Sequence, residues 1–535
     1  MNEIAFNILD EPWILVTYLN GESGEISLKD ALKNAHKIKS LSGELPAQDA
    51  AVTRLLLAVL YAVFTRVDVN GEELDDDYDA VGLWTSLWEL KKFPEKQIDK
   101  YLIIYYDRFW LVHPERPFWQ ISKIDKGTKY DVPKLIGELS ESSNKTRLFQ
   151  SRNGKTKNEI TYAEAVRWLI SLNGFDDTSS KPTGQNMPTP GAGWLGKLGI
   201  VYAIGTNLFE TLMYNFVLQD SNKKNWENGH AIWELDAPRN KERIEIPVPN
   251  SPIELLTLQS RRICLEKRNN MIVGYKILGG DFFQKEDAFI EQMTIWKFND
   301  DKKTNYVPKR HNPSKQFWRS FTLLLLVTED TCPPGFINWL ANLKINSKVK
   351  IKNINMQAVS VVYGDKDSSV ADSWSDSFSL NSSLLSAIGD KWVIRISDLL
   401  KSTDNMVKAY GQLAFDIEKS SGGFEKLFDK RDAAKDEAYF NLDMPFRNWL
   451  EKIDIEDEDM DDVCSKWENR ARSIILKLGD ELAAKSGNAA FTGRIINKKP
   501  LNTSIAHINF KNSIASILVY KNNENKKDGG DLSGR

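Results

Sequence analysis

Between Asn173 and Gly205 the chain reads NGFDDTSSKPTGQNMPTPGAGWLGKLGIVYAIG. Gly174, Gly184, Gly191, Gly193, Gly196, Gly199 and Gly205 are interleaved with Pro182, Pro188 and Pro190. Glycine weakens helix and strand alike, and proline removes a backbone donor, so no long regular element can run through the first half of this stretch. A helical pattern ends just before it and another begins just after it. The fold must therefore accommodate an irregular loop in its middle. Long loops of this kind are either functional or disordered, and composition does not choose between the two.

The flanks are regular. Phe6 to Leu19, then Asn20-Gly21, then Glu25 to Leu28 predict a strand pair joined by a turn, with Ser27 capping a short helix through Ala35. Pro46 to Arg66 is apolar almost all round and predicts a core helix; its run Leu55 to Phe64 is too short to span a bilayer. Helical patterns follow near Asp79 to Lys92 and from Pro94, a first-turn proline, to Tyr106. Trp110, Phe118 and Trp119 read as core anchors. Thr161 to Glu164 is a capping box opening the helix AEAVRWLISL, and Thr206 to Gln219 is a further helix. Ser251-Pro252-Ile253-Glu254 is a second capping box, opening ELLTLQSRRICLEKRNN. IVGYKILGGDFF then predicts strand, turn and strand, with the turn at Gly279-Gly280.

The serine-rich KDSSVADSWSDSFSLNSS, Lys366 to Ser383, reads as a hinge or exposed loop. From Ser383 to Tyr520 helical periodicity dominates and predicts a bundle, with the acidic Asp454 to Val463 as a linker or helix start. The fold class is α+β: a mixed α/β domain over residues 1–375, a helical bundle over 376–520 and a disordered polar tail over 521–535.

A net charge of −3 excludes a broadly basic nucleic-acid coat protein, so any such contact is local. Two places are basic. Glu138 to Asn158 carries Lys145, Arg147, Arg152, Lys155 and Lys157, either as a solvated loop or as a phosphate-contacting one. Met293 to Arg319 carries Lys302, Lys303, Lys309, Arg310, His311, Lys315 and Arg319.

Chemical signatures are missing. Cys264, Cys332 and Cys464 lie far apart, which argues against a disulfide scaffold and a zinc site and suits a reducing cytoplasm. The N-terminus has no basic-then-apolar signal pattern. Gly191-Ala-Gly193-Trp-Leu-Gly196 matches G-x-G-x-x-G, but MPTP precedes it and a strand pattern follows, the reverse of a dinucleotide site. His36, His113, His230, His311 and His507 are scattered, so no metal, cofactor or catalytic group is expected. A carbohydrate-active enzyme is the one enzymatic alternative; it rests only on the sixteen tryptophans, most of which fall in core patterns.

Several segments taken together resemble one family. They are FNILDEPWILV (Phe6 to Val16), HPERPF (His113 to Phe118), GWLGKLGIVYAIG, LLTLQSRR (Leu255 to Arg262) with GYKILGGDFF, MTIWKF (Met293 to Phe298), YVPKRHNPSKQFWR (Tyr306 to Arg319) and LDMPFRNWL (Leu442 to Leu450). In this order they resemble the CasA family, the large subunit of the type I-E CRISPR Cascade complex.

The resemblance implies a C-terminal four-helix bundle and a non-enzymatic subunit of an RNA-guided DNA surveillance complex. Its partners would be the other Cascade subunits, the guide RNA, target double-stranded DNA and the helicase–nuclease, with no membrane. It would read the short target-adjacent motif (the PAM) from the minor groove with a glycine loop and help start duplex opening and R-loop formation; a bare backbone enters that narrow, degenerate groove easily. Carried over, the glycine loop falls around Gly174 to Gly196, with Gly184, Gln185, Asn186, Gly191, Gly193 and Lys197 as DNA contacts. A supporting lysine falls at Lys276, and the family's glutamine wedge position falls at Lys366 or Asp367. The loop facing the guide-RNA handle falls at Ser143 to Arg152, with Asn144, Lys145, Thr146, Arg147 and Arg152; Lys309 and Arg310 add a basic surface. The runner-up is a large subunit of a related CRISPR effector with mainly RNA-facing contacts.

Overall fold

An apolar sequence with proline at its start makes Pro46–Phe64 a helix buried on every side. By length and composition it could cross a membrane, but it lies inside the protein, packed against Tyr162–Phe175 and Pro252–Leu256. Two of its polar side chains are anchored there. Arg54 makes a two-pronged pair with Glu291, both bonds at 2.8 Å, and the Tyr61 hydroxyl donates to the Val217 carbonyl at 2.8 Å. A buried charge is tolerable only when so paired.

The computed structural model describes residues 3–141, 146, 150–179, 191–299, 305–347, 349–386 and 388–517. The chain forms two units: Met1–Phe317 with Leu323–Phe378, and Trp318–Thr322 with Ser379–Arg535. In the first unit, two three-stranded sheets matter for function. One runs in the order Val370–Asn381, Asn353–Tyr363, Ile200–Ile204. The other is antiparallel, with Met271–Gly279 between Thr128–Asp131 and Arg261–Arg268. The predicted N-terminal hairpin is present as Ile14–Tyr18 and Ser23–Ile26, turning at Gly21 with φ 87°, and Ile38–Leu41 adds a third strand.

The structure revises several expectations. The helix after Ser251 covers only Pro252–Leu256, and Ser251 Oγ accepts from the Ile253 amide rather than closing a capping box. From Arg261 the chain is a strand, because the hairpin turns at Asn269-Asn270, φ 49° and 58°, positions asparagine tolerates. Gly279-Gly280 is therefore not that turn; it leads into Asp281–Phe283, which pairs in parallel with Arg243–Ile246. The serine-rich segment is largely the strand Val370–Asn381: cross-strand pairing and burial of Phe378 and Leu380 outweigh its polar composition. Pro94 caps the helix Glu95–Ile104 rather than beginning it.

The second unit is built on four long helices, Gly389–Ser421, Leu427–Glu451, Met460–Ala484 and Thr503–Ile517. Asp459 caps the third by accepting from the Asp462 amide at 3.0 Å, so the acidic run is linker and then helix start. A short hairpin, Arg494–Ile496 with Lys499–Leu501, interrupts the helical pattern and was not foreseen. Trp318, from the five-residue segment assigned to this unit, stacks on Phe446 at 4.4 Å and donates its indole N–H to Asp443 at 2.7 Å. The predicted tail, 521–535, lies outside the described residues.

Candidate nucleic-acid interface

The glycine stretch begins where the helix Tyr162–Phe175 stops. Thr161 and Glu164 close the expected capping box at its other end. Two acids follow, and both are buried: Asp176 at 2 % exposure and Asp177 at 0 %. Arg261, itself wholly buried, donates Nε to the Asp176 carboxylate. Its Nη2 donates to the Asp177 carbonyl at 3.0 Å and to the Gly191 carbonyl at 2.7 Å. Lys134 pairs with the Asp177 carboxylate, and the Gly193 amide donates to the Asp176 carbonyl at 2.9 Å. One guanidinium thus holds together the two ends of the segment 178–190. Gly184, Gln185 and Asn186, predicted as contacts, lie outside the described residues.

The described glycines divide by role. A Cβ at Gly193 would stand 2.3 Å from the Gly174 carbonyl oxygen, and one at Gly196 would stand 2.0 Å from the Tyr363 hydroxyl. Gly193 is also buried, so the close approach it permits is to Gly174 inside the protein. Gly191 is half-buried, and among the described residues a Cβ there would meet the Lys197 side chain alone, at 3.6 Å.

The loop's entrance is tied to the tip of the hairpin between Asn353–Tyr363 and Val370–Asn381. The Thr178 amide donates to the Asp367 carbonyl at 2.9 Å, and its hydroxyl donates to the Lys366 carbonyl at 2.8 Å. Lys366 and Asp367 sit at φ 52° and 55°, a left-handed region that costs a residue with a side chain about 1 kcal/mol. Arg310 grips the Asp367 carboxylate with two bonds, at 2.9 and 2.8 Å, and lies 5.1 Å over the Tyr363 ring. The Tyr363 hydroxyl donates to the Phe175 carbonyl at 2.6 Å, closing the circuit. The Lys366 side chain is exposed at the tip.

Lys197 is half-buried, its ammonium 5.7 Å from the Phe282 ring. Burial, reinforced by Arg261, Lys285 and Arg310, lowers its pKa to about 8. Lys309 is likewise lowered, by burial and then by Lys315 and Lys297. Lys197 thus sits near Lys285 and two arginines, Arg261 and Arg310, whose charges are met by Asp176 and Asp367.

Other predicted residues are placed elsewhere or already engaged. Lys276 pairs across the sheet with Lys129 and Cys264, on the opposite face from the buried Tyr275, which senses Asp176 and Asp177. It does not join the group around Lys197. Arg152 donates to Glu164 at 2.8 Å and to Glu138 at 3.4 Å, and Lys157 pairs with Glu141 at 2.6 Å, so two of the basic loop's three described cations are neutralised within the protein. Thr146 is exposed; Asn144, Lys145 and Arg147 lie outside the described residues. Arg310 is no free basic surface, because Asp367 occupies it.

Sequence reasoning missed Asp176, Asp177, Thr178 and Arg261 as the elements that shape the loop. The only signals were an acidic pair beside the glycines and an arginine pair in LLTLQSRR, and Asp176 and Arg261 are 85 positions apart. Among the described residues no group of three or more His, Cys, Asp or Glu side chains could hold a metal ion.

Comparison with known proteins agrees with this architecture. Residues 7–478 match the profile of the family described as CRISPR-associated protein Cse1. The CRISPR-associated protein CasA/Cse1 of Thermus thermophilus is 28% identical over 329 residues, which span 60% of this chain and 60% of that relative. The crystal structure of Thermobifida fusca Cse1 superposes with a TM-score of 0.81 at 26% identity, over 96% of this chain and 98% of the other. Cse1 from Acidimicrobium ferrooxidans, at 21% identity and TM-score 0.77, covers 97% of this chain and 98% of its own and shares the fold. The chain belongs to the CRISPR-associated Cse1 family, the large subunit of type I-E Cascade.

Proposed function

We propose that this subunit binds target double-stranded DNA within the RNA-guided complex and reads the PAM from the minor groove with the loop that Arg261 closes. Gly184, Gln185, Asn186 and Gly191 supply the backbone surface, Lys197 and Lys366 supply charge on either side, and Lys276 adds a phosphate contact from the neighbouring hairpin. The tip carrying Lys366 helps open the first base pairs. Asn144, Lys145, Thr146, Arg147 and Arg152 face the guide-RNA handle, and the assembled subunit recruits the helicase–nuclease without chemistry of its own. In such complexes base pairing reads the target, and the protein reads only the short adjacent motif.

The observation that carries this reading is the joining of loop and tip: Thr178 hydrogen-bonds to both Lys366 and Asp367, so a glycine loop and an exposed lysine share one mount. One matching structure, with a TM-score of 0.71 at 16% identity, is described as a CRISPR RNA-guided surveillance complex. A cavity of about 310 Å³ is lined by Asp176 and Asp177, the carboxylates an enzyme reading would need. Arg261 and Lys134 already hold both in ion pairs.

The test is duplex binding by the complex reconstituted on its guide RNA, with and without this subunit. Motif-dependent binding should vanish without it; binding that persists unchanged overturns the proposal. With a net charge of −3, the chain alone should bind duplex weakly.

A further inference from the structure

We infer that the cavity between Arg108, Arg116 and Arg239 is a binding site for one free oxyanion of the phosphate class. None of its lining residues belongs to the glycine stretch or the hairpin tip, and the inference does not depend on the duplex reading.

The walls offer donors and no acid. The cavity measures about 50 Å³, and the three arginines, Trp119 and Gln259 line it. Among its described lining residues there is no aspartate or glutamate. Trp119 is 6 % exposed, and among the described residues its indole N–H has no hydrogen-bond partner. Gln259 is 4 % exposed; its carbonyl accepts from Arg262 at 3.0 Å, but its side-chain amide makes no hydrogen bond to a described residue. The other polar groups of the wall are spent. The Gln120 amide donates to the Leu111 carbonyl and accepts from the Leu265 amide, and the Trp233 indole donates to the Tyr101 hydroxyl. A buried donor without an acceptor is costly, so the two left over mark a place for an acceptor.

The charges make the same point. Arg108 and Arg116 are half-buried, and neither guanidinium meets an acceptor among the described residues. Arg239 stands 3.7 Å from Asp281 Oδ2, beyond hydrogen-bond length. That carboxylate is already committed, because Arg262 and Arg243 both donate to its Oδ1. Three arginines therefore share one buried acid. Burial and then Arg243 lower the Arg239 pKa, against the pull of Asp281 and Glu254. A half-buried guanidinium with no acceptor has lost hydration without replacing it. An oxyanion supplies both the missing charge and the missing acceptors, in a geometry the guanidinium fork matches.

Size selects the ligand. One water needs about 10–15 Å³ of such space, so the cavity has room for a single tetrahedral oxyanion and none for a sugar or a base. The wall is also firm: the Trp119 ring packs against Phe118 at 5.4 Å and Trp233 at 6.5 Å.

The experiment is a thermal melt of the isolated full chain in chloride buffer, with inorganic phosphate replacing chloride at constant ionic strength. The melting temperature should rise by about 2 °C for each tenfold increase in phosphate above its dissociation constant. A melting temperature that the exchange leaves unchanged overturns the inference. Arg108→Gln and Arg116→Gln remove cations that have no partner, so without phosphate each should melt within about 1 °C of wild type. The double variant should lose the phosphate-induced rise; a full rise in that variant overturns the inference.

A second readout leaves the arginines in place. In nitrogen-15-labelled protein the Trp119 indole N–H resonance, identified by its absence in Trp119→Phe, should move downfield as phosphate is added. A resonance that stays put overturns the site. A short 5′-phosphorylated RNA that moves the melt and the resonance where inorganic phosphate does not also overturns it, and gives the cavity to a nucleic-acid phosphate instead.

Discussion

Arg310 and Asp367, 57 positions apart, meet in a two-pronged ion pair at 2.9 and 2.8 Å that holds the hairpin tip where Lys366 is exposed. Both partners are about one-third exposed, so the pair contributes only about 0.5 kcal/mol to global stability. Its effect is local. Arg310→Lys, which cannot form the fork, and Asp367→Asn should each speed hydrogen exchange at the Thr178, Gly364 and Asp367 amides, with little change in unfolding free energy. The double variant should be no worse than either single one; additive losses would show that the two residues act separately.

Arg261→Ala should be far more damaging. The guanidinium is fully buried, and its loss leaves the Asp176 carboxylate uncompensated and the Asp177 and Gly191 carbonyls without their donor. Removing one partner of a buried pair costs about 3–5 kcal/mol. Urea unfolding checks it, and a loss below about 1 kcal/mol would contradict the clamp described here.

The two neighbouring glycines should behave oppositely. Gly193→Ala forces a Cβ to within 2.3 Å of a backbone oxygen and should destabilise by about 1–3 kcal/mol. Among the described residues, Gly191→Ala meets only a flexible side chain, at 3.6 Å, and should leave the melting temperature nearly unchanged while weakening motif-dependent duplex binding. Equal stability losses at both positions would remove the distinction.

Asp49 gives a pH prediction. Burial, and to a lesser degree Glu44, raises its pKa from 3.8 to about 7, against the pull of the Gly43 amide and Arg167. The folded state therefore favours the protonated form. The stabilisation is complete below pH 3.8 and is lost as pH rises through about 7. Asp49→Asn should raise the melting temperature at pH 8, and the gain should shrink at pH 5. A gain that is the same at both values would be inconsistent with the raised pKa.

The second unit should depend on a segment far from it in sequence. A fragment beginning at Ser379 lacks Trp318, which stacks on Phe446 and bonds to Asp443. Losing a buried tryptophan costs about 3–5 kcal/mol, so this fragment should melt well below the same unit in Trp318-containing protein. The comparison is a thermal melt followed by helix circular dichroism.

Local patterns carried much of the fold. The apolar sequence of Pro46–Phe64, the Thr161–Glu164 capping box and the periodicity after Ser383 are short-range signals, and each corresponds to an element of the structure. The ordered set of family segments likewise lay in the sequence, and the family match over residues 7–478 agrees with it. The site was less legible. Val370–Asn381 is polar and becomes a strand only because Asn353–Tyr363 offers its edge. Asn269-Asn270 rather than Gly279-Gly280 makes the turn, since the strand from Arg261 needs a partner at that register. Asp176, Asp177 and Asp367 look like solvated loop acids until the fold delivers Arg261, Lys134 and Arg310 to them. A helix or cap is decided by residues three or four positions apart, whereas an ion pair or a sheet edge is decided by chain segments that only tertiary packing brings together. The sequence by itself determined the core helix, the capped helices and the family; tertiary structure decided which polar segments become strands, which glycines are packing and which cations are neutralised.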